Sequence, residues 1–392
     1  MTIYARFLRR PMRRRLIPVV VALVGVAVPS VAFALDAPTT LQRDVDLVRA
    51  TGASGVLAEV SASRGAQTAR AGVADPAGSR PVPWNARHRI GSTTKTFVAT
   101  VVLQLVGEGK IGLDDTVERW LPGVVNGNGN DGRKVTVRHL LGHTSGLPDY
   151  EDAPLEGAAT PEEFRRERFR TFRPEQLVAT AMRHRPLFKP GKEWAYANVN
   201  YVLAGMIIER ATGAPWAQAV HERVIEPLGL ADTLIPGTSA YLPSPRLAAY
   251  KRLRPGGPLV DVSTFAAGHA DASMISTTGD VNRFFRALLG GRLLKPAQLR
   301  EMQKTRLAKP FAAIWDKPGY GLGLMKRRLP CGEWVWFHGG GWWNAITDNG
   351  VSSDGRRAVT VAIASTQEPG QDMTPQAKAS AALIDHALCG TR

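Results

Sequence analysis

The sequence predicts an α+β fold: one antiparallel β-sheet flanked by helices, with an all-helical lobe inserted between the two parts of the sheet. Three observations predict it. Short apolar or alternating runs at residues 55–61 and 67–73, split by Ser63-Arg64-Gly65, read as a β-hairpin. Strand signals return only near the other end, at residues 333–337, 345–349 and 358–364. Between them, from residue 93 to about residue 300, the periodicity is mostly helical, with many Pro and Gly breaks.

Composition agrees with a globular chain. Of 392 residues, 44% are hydrophobic and 21% charged, enough to bury a sizeable core and too apolar for disorder. The 50 Lys+Arg against 34 Asp+Glu give a formal charge of +16, which would suit a nucleic acid or another polyanion. Six of those charges stand in residues 1–34: Arg6, Arg9, Arg10, Arg13, Arg14 and Arg15. An apolar stretch follows at residues 16–31, then Ala32-Phe33-Ala34. This is the pattern of a secretory signal peptide cut before Leu35. An uncleaved anchor is the alternative, but Pro18, Gly25 and Pro29 interrupt a run already short for a span of about 20 residues. Removing 34 of the 392 residues leaves 358 and lowers the charge to +10. The sequence therefore predicts a signal peptide at 1–34 and a single catalytic domain at 35–392, its helical lobe at roughly 110–300. The product is secreted or cell-wall associated, has no membrane segment after cleavage, and can touch anionic wall polymers. No nucleic-acid motif is present.

Taken in order, residues 93–106 carry helical spacing and stop at Gly107 and Gly109. Further helices read at 161–171, 174–183, 200–212, 216–224 and 278–290, and a last one at 375–388. Residues 75–83 and 243–258 read as surface loops. Residues 134–137 look strand-like. Two cysteines cannot build a disulfide scaffold or a four-thiolate zinc site. Outside the cell they permit one disulfide, Cys331 to Cys389, tying the last helix to the strand at 333–337; two buried thiols are the alternative.

Two motifs are set aside. Gly127-Asn128-Gly129-Asn130-Asp131-Gly132 matches a dinucleotide fingerprint but lacks the strand before it and the helix after it, and reads as a turn. His139 and His143 have zinc-helix spacing without the adjacent glutamate, and Gly142 and Gly146 break the helix. The reading asks for no metal and no cofactor.

Three segments carry chemistry. Ser92-Thr93-Thr94-Lys95 opens a helix after Gly91, so the side chains at i and i+3 can meet. A serine hydroxyl needs a partner to take its proton, and burial beside a cation is what would fit a lysine for that. Tyr196-Ala197-Asn198 sets a phenol and an amide two residues apart, projecting alike from extended backbone. Phe337-His338-Gly339-Gly340-Gly341 ends a strand with glycines that let a ligand backbone approach.

These segments, in this order, resemble the serine hydrolases of the D-alanyl-D-alanine carboxypeptidase and class C β-lactamase family, whose fold is β-lactamase/transpeptidase-like. Further matching segments are Arg89-Ile90-Gly91, VTVRHLLGHTSGLP at 135–148, YVLAG at 201–205, STTGD at 276–280 and YGLG at 320–323. The resemblance runs from about residue 43 to 390 and is strongest to secreted actinomycete-type DD-carboxypeptidases, paired cysteines included. It implies that Ser92 is the nucleophile on a D-Ala-D-Ala amide or a β-lactam. It implies that Lys95 and Tyr196 move the proton as a coupled pair and that Asn198 orients substrate and Lys95. It implies that His338 supplies hydrogen bonding and positive charge, and that the N–H groups of Ser92 and Gly341 form the oxyanion hole. Gly339, Gly340, Trp342 and Arg327 would bind substrate, with Lys326 or Arg328 as other candidates for its carboxylate. His338 stands where class C β-lactamases more often carry Lys, which favours a peptidase or an esterase; the alternative to a DD-carboxypeptidase is a β-lactamase, esterase or D-amino-acid amidase on the same machinery. Trp342-Trp343 replaces the usual Gly and aromatic; the pair either shapes the cleft or packs on the last helix.

Overall fold

The computed structural model describes residues 39–150, 158–266, 268–366, 368 and 370–389. The segment read as a signal peptide, 1–34, lies outside the described residues.

The sheet is assembled from both ends of the described chain. Helix α1 (Thr40–Ala50) begins at Thr39, whose hydroxyl accepts from the Gln42 N–H at 3.2 Å. Strands β1 (Ala53–Ala62) and β2 (Gly65–Gly72) form the predicted hairpin. The remaining strands are β3 (Arg306–Leu307), β4 (Gly319–Tyr320), β5 (Met325–Arg328), β6 (Trp334–Phe337), β7 (Gly340–Trp342), β8 (Ala345–Ser352) and β9 (Ala358–Ser365). Their order is β2-β1-β9-β8-β6-β5-β4-β3, antiparallel throughout, with β7 pairing β8. The β1–β9 ladder, with Val56 opposite Ile363, joins the two parts of the chain.

Strand alternation divides the two faces. Val56, Ala58, Val60, Val359, Val361 and Ile363 meet Val45 and Val48 of α1 and Leu383 and Ile384 of α5 (Thr374–Cys389). On the other face, Asn282 of α4 (Thr278–Leu289) donates to Glu59 O at 2.9 Å and accepts from the Thr360 hydroxyl at 2.8 Å. Thus α4, inside the stretch assigned from sequence to the lobe, lies against the sheet. The Cys331–Cys389 disulfide ties the approach to β6 to the end of α5, with Cα atoms 5.8 Å apart.

Helix α2 (Thr94–Gly107) is buried on nearly every side, as an apolar-all-round helix must be. It packs against α3 (Val199–Thr212), which ends at Gly213 in the left-handed conformation. Residues 134–137 depart from the predicted strand. Thr136 makes a single bridge to Thr116, and its hydroxyl then caps a short helix, Val137–Leu141. The His139 ring closes that cap by accepting from the Thr136 N–H. The predicted helix at 216–224 is α-helical only over Trp216–Val220, then widens into a π-turn, His221–Ile225. The glycine-rich stretch is a tight turn between Asn126–Gly127 and Asn130–Asp131, with Asn128 at φ 51°.

Candidate active site

Ser92 lies in a single 3-10 turn, Gly91–Thr93, that leads into α2. Gly91 has φ 49°, and a Cβ there would lie 2.8 Å from Gly341 N. A Cβ on Gly340 would lie 1.9 Å from Ile90 O and 2.8 Å from Ser92 N. Strand β7 therefore lies directly on the serine turn, and glycine is required on both sides. This corrects one expectation: Gly340 admits the serine turn, not a ligand, and a Cβ on Gly339 would face Asp348 Oδ1 at 3.1 Å. The hairpin register shows what remains free. Trp342 pairs with Ala345 across a two-residue turn in which Trp343 (φ 47°) and Asn344 (φ 64°) are both left-handed. The pair that closes such a turn exchanges hydrogen bonds, so the next pair, Gly341–Ile346, does not. The Gly341 N–H points away from β8, and Gly341 and Ser92 border the same cavity.

Lys95 is fully buried, so its charge needs partners. Its Nζ donates to Ser92 Oγ at 2.9 Å, Asn198 Oδ1 at 2.8 Å and Asp271 O at 2.8 Å. The Tyr196 ring centroid is 4.9 Å from Nζ, within cation–π range.

Asn198 is the residue before α3, yet its side chain makes no cap. Asp149 takes over that task, accepting from Val199 N–H at 3.0 Å and from Asn198 Nδ2 at 3.1 Å. The amide is thereby released to Lys95 and held at its other end. Burial raises the Asp149 pKa. His143 stacks on Tyr196, with centroids 4.2 Å apart and planes 29° apart.

Two expectations are corrected. His338 is buried, and its pKa is pushed down to about 3 by burial and then by the Lys95 charge. It is a neutral ring whose Nε2 accepts from the Tyr320 hydroxyl at 2.9 Å while Nδ1 meets Gly339 O at 2.8 Å. It supplies no positive charge and supports the β6–β7 corner. Arg327 is buried against α5, pairing with Asp385 at 2.6 Å. It holds no substrate carboxylate, because both ends of its hydrogen bonding face α5, including Ala381 O at 3.4 Å. Lys326 stacks over Trp334 instead, and neither it nor Arg328 borders the cavity.

The cavity beside Ser92 has a volume of about 560 Å³. Tyr196, Asn198, Gly341 and Trp342 border it. Trp342 packs on Phe265 and Trp343 near Phe164, not on α5, which decides between the two alternatives for the tryptophans. Sequence reasoning missed Tyr150, Asp271 and Lys251, which also border it. The Tyr150 hydroxyl donates to Asp271 Oδ2 at 2.9 Å. Burial and the Asp271 charge push the Tyr150 pKa well above its usual value, so it stays a donor. Asp271 carried no signal: it stands between two alanines in a stretch without periodicity. Lys251 covers Trp343 at 4.4 Å.

Residues 42–385 match the family described as Beta-lactamase. A D-stereospecific amidohydrolase from Streptomyces sp. superposes with a TM-score of 0.79 at 43% identity, over 90% of this chain and 98% of that one. The D-amino acid amidase of Ochrobactrum anthropi SV3, complexed with L-phenylalanine amide, superposes with a TM-score of 0.75 at 27% identity, over 89% and 96%. Penicillin-binding protein 4* of Bacillus subtilis (strain 168) is 31% identical over 167 residues, 42% of this chain and 34% of that protein. The chain thus aligns with about a third of that relative's length.

Proposed function

The chain belongs to the Beta-lactamase family and is a serine hydrolase with the β-lactamase/transpeptidase fold; from that premise we propose that it is a secreted acyl-serine amidohydrolase for D-amino-acid amides that carry a free α-ammonium. The observation that carries the substrate is Asp271. Asp271 borders the cavity next to Ser92, is 2% exposed, and its Oδ2 accepts from the Tyr150 hydroxyl at 2.9 Å. A carboxylate at that depth whose side-chain donor is a neutral phenol suits a cationic substrate group. The strong similarity to a D-stereospecific amidohydrolase supports the D configuration.

In this proposal Ser92 Oγ attacks the amide carbonyl. An ammonium has three protons, and three acceptors surround Lys95 Nζ. The hydroxyl proton is relayed through the coupled Lys95–Tyr196 pair, whose unprotonated member takes it. The N–H groups of Ser92 and Gly341 hold the oxyanion, such a donor being worth roughly 10²–10³ in rate. Collapse breaks the C–N bond, and the leaving amine takes the proton from the pair. Water then attacks the acyl-serine ester, giving one proton to the pair, and the proton returns to Ser92 as the acid leaves.

Release of ammonia from D-phenylalaninamide, its N-acetyl derivative and the L-isomer tests the proposal. Ser92→Ala should abolish turnover, and Asp271→Asn should lower kcat/KM for the free-ammonium amide alone. Equal turnover of the N-acetylated amide by the wild type would refute the ammonium assignment. Lys251 favours a second reading, carboxypeptidase action on stem peptides ending in D-Ala-D-Ala, because it is the lysine at the cavity. Release of D-Ala from such a peptide, and a penicillin adduct on Ser92, would establish it. The disulfide supports an extracellular setting, and among the described residues no helix is long and apolar enough to cross a membrane. Contact with anionic wall polymers belongs to the same proposal.

A further inference from the structure

His143 is the buried titratable group that the reaction above leaves without a task. It is fully buried and holds φ 53°, a left-handed conformation that a bulky residue adopts only when its surroundings insist. Two of its hydrogen bonds flank one neighbour. Its backbone carbonyl accepts from Ala195 N–H at 3.1 Å. Its Nδ1 accepts from Ala197 N–H at 3.2 Å. Between those two residues stands Tyr196, and the imidazole lies on the face of that phenol. Asn200 Nδ2 lies 3.1 Å from the same Nδ1, and the Tyr320 ring meets the imidazole edge-on at 4.8 Å. Accepting at Nδ1 puts the proton on Nε2. Burial, then the charge of Lys95, holds the pKa well below the usual imidazole value, so the ring stays neutral.

We propose that His143 is the positioning residue of Tyr196, bracketing its backbone on both sides and stacking on its ring so that the phenol stays fixed beside Ser92 and Lys95. The left-handed backbone is what makes this possible. It turns the carbonyl and the side chain of one residue toward the same short stretch of chain. A neutral ring is what the site can hold, since an imidazolium would be a second buried cation close to Lys95. The assignment rests on the proposal that Ser92 and Tyr196 carry the acylation.

Two substitutions separate the interactions. His143→Phe keeps a ring but loses the acceptor. His143→Asn keeps an acceptor at the position of Nδ1 and tolerates left-handed backbone, but loses the stack. Both are compared with wild type, Ser92→Ala and Tyr196→Phe, using ester and amide turnover and thermal unfolding. A phenol displaced by about 1 Å costs about 100-fold. His143→Phe should therefore lose about 100-fold in kcat with KM within about twofold, and His143→Asn should regain most of that loss. A folded His143→Phe with wild-type kcat overturns the inference, as does a loss confined to KM or a loss that asparagine does not rescue. Turnover surviving in Ser92→Ala overturns the acyl-serine proposal and this assignment with it. An inactive Ser92→Ala beside fully active His143 variants overturns this assignment alone.

Discussion

Gly340→Ala is the sharpest test of how the serine turn is held. The new methyl would stand 1.9 Å from Ile90 O and 2.8 Å from Ser92 N, both backbone atoms that cannot swing aside. Ordinary contact needs about 3.4 Å, so β7 and the serine turn must separate by roughly 1–1.5 Å. That separation moves the Gly341 N–H relative to the Ser92 N–H, the two donors proposed for the oxyanion. Losing one such donor costs about 10²–10³ in kcat, or about 3–4 kcal/mol of barrier. The neighbouring glycine is the control. A methyl on Gly341 would meet only Ala345 O at 3.9 Å, so Gly341→Ala should fold with an unchanged Tm. The assay is single-turnover acylation by a chromogenic ester, followed by stopped flow and paired with thermal unfolding. If Gly340→Ala acylates within about fivefold of wild type at unchanged Tm, the donors are not set by this contact and the oxyanion assignment fails.

Other expectations follow from the same structure. Arg327→Met strands the Asp385 carboxylate against α5 and should cost about 3 kcal/mol in urea unfolding while leaving KM unchanged; a raised KM at full stability would restore Arg327 to substrate binding. Replacing Cys331 and Cys389 by serine releases a closure of 58 residues, worth about 4 kcal/mol in the chain-entropy treatment, and should leave kcat intact; unfolding at the wild-type urea midpoint would contradict it. His88 is buried and its pKa is pushed down to about 4 by desolvation. Above about pH 6.5 neither the folded nor the unfolded chain protonates it, so stability there is unaffected. As pH falls toward 4 the unfolded chain binds the proton and the folded one does not, and stability is lost at up to about 1.4 kcal/mol per pH unit. His88→Phe should remove that slope from the stability–pH curve, and parallel curves for the two proteins would rule it out.

How far the sequence could be read depends on whether a feature is local. The hairpin of β1 and β2, the helix after Ser92 and the last strands rest on periodicity within a few residues, and the structure has them. The Ser92–Lys95 contact is equally local, one helical turn apart, and measures 2.9 Å. Three residues were legible in position and not in task. His338 stands at the expected corner, but its charge state depends on burial among Tyr320, Lys95 and β8, which no spacing reports. Arg327 is one of three adjacent cations, with Lys326 and Arg328, offered for a substrate carboxylate, and spacing does not choose among them. β5 turns Arg327 toward α5, and neither of its neighbours Lys326 and Arg328 borders the cavity. Gly340 reads as permissive toward a ligand because glycine identity alone does not say which backbone comes close.

What stayed illegible was assembled by distant segments. Asp271 and Lys95 are 176 residues apart, and Asp149 and Asn198 are 49 apart. None of these pairs has a local pattern, yet together they determine the electrostatics of the cavity. Lys95 is surrounded by acceptors on all three donors, Asp271 brings a carboxylate to the lining and Lys251 a cation, and the cations of β5 are absent from it. A family motif specifies the acylating machinery. The balance of charge around it is set by residues outside the motifs, and Asp271 among them is the one that supports the proposed ammonium-bearing amide.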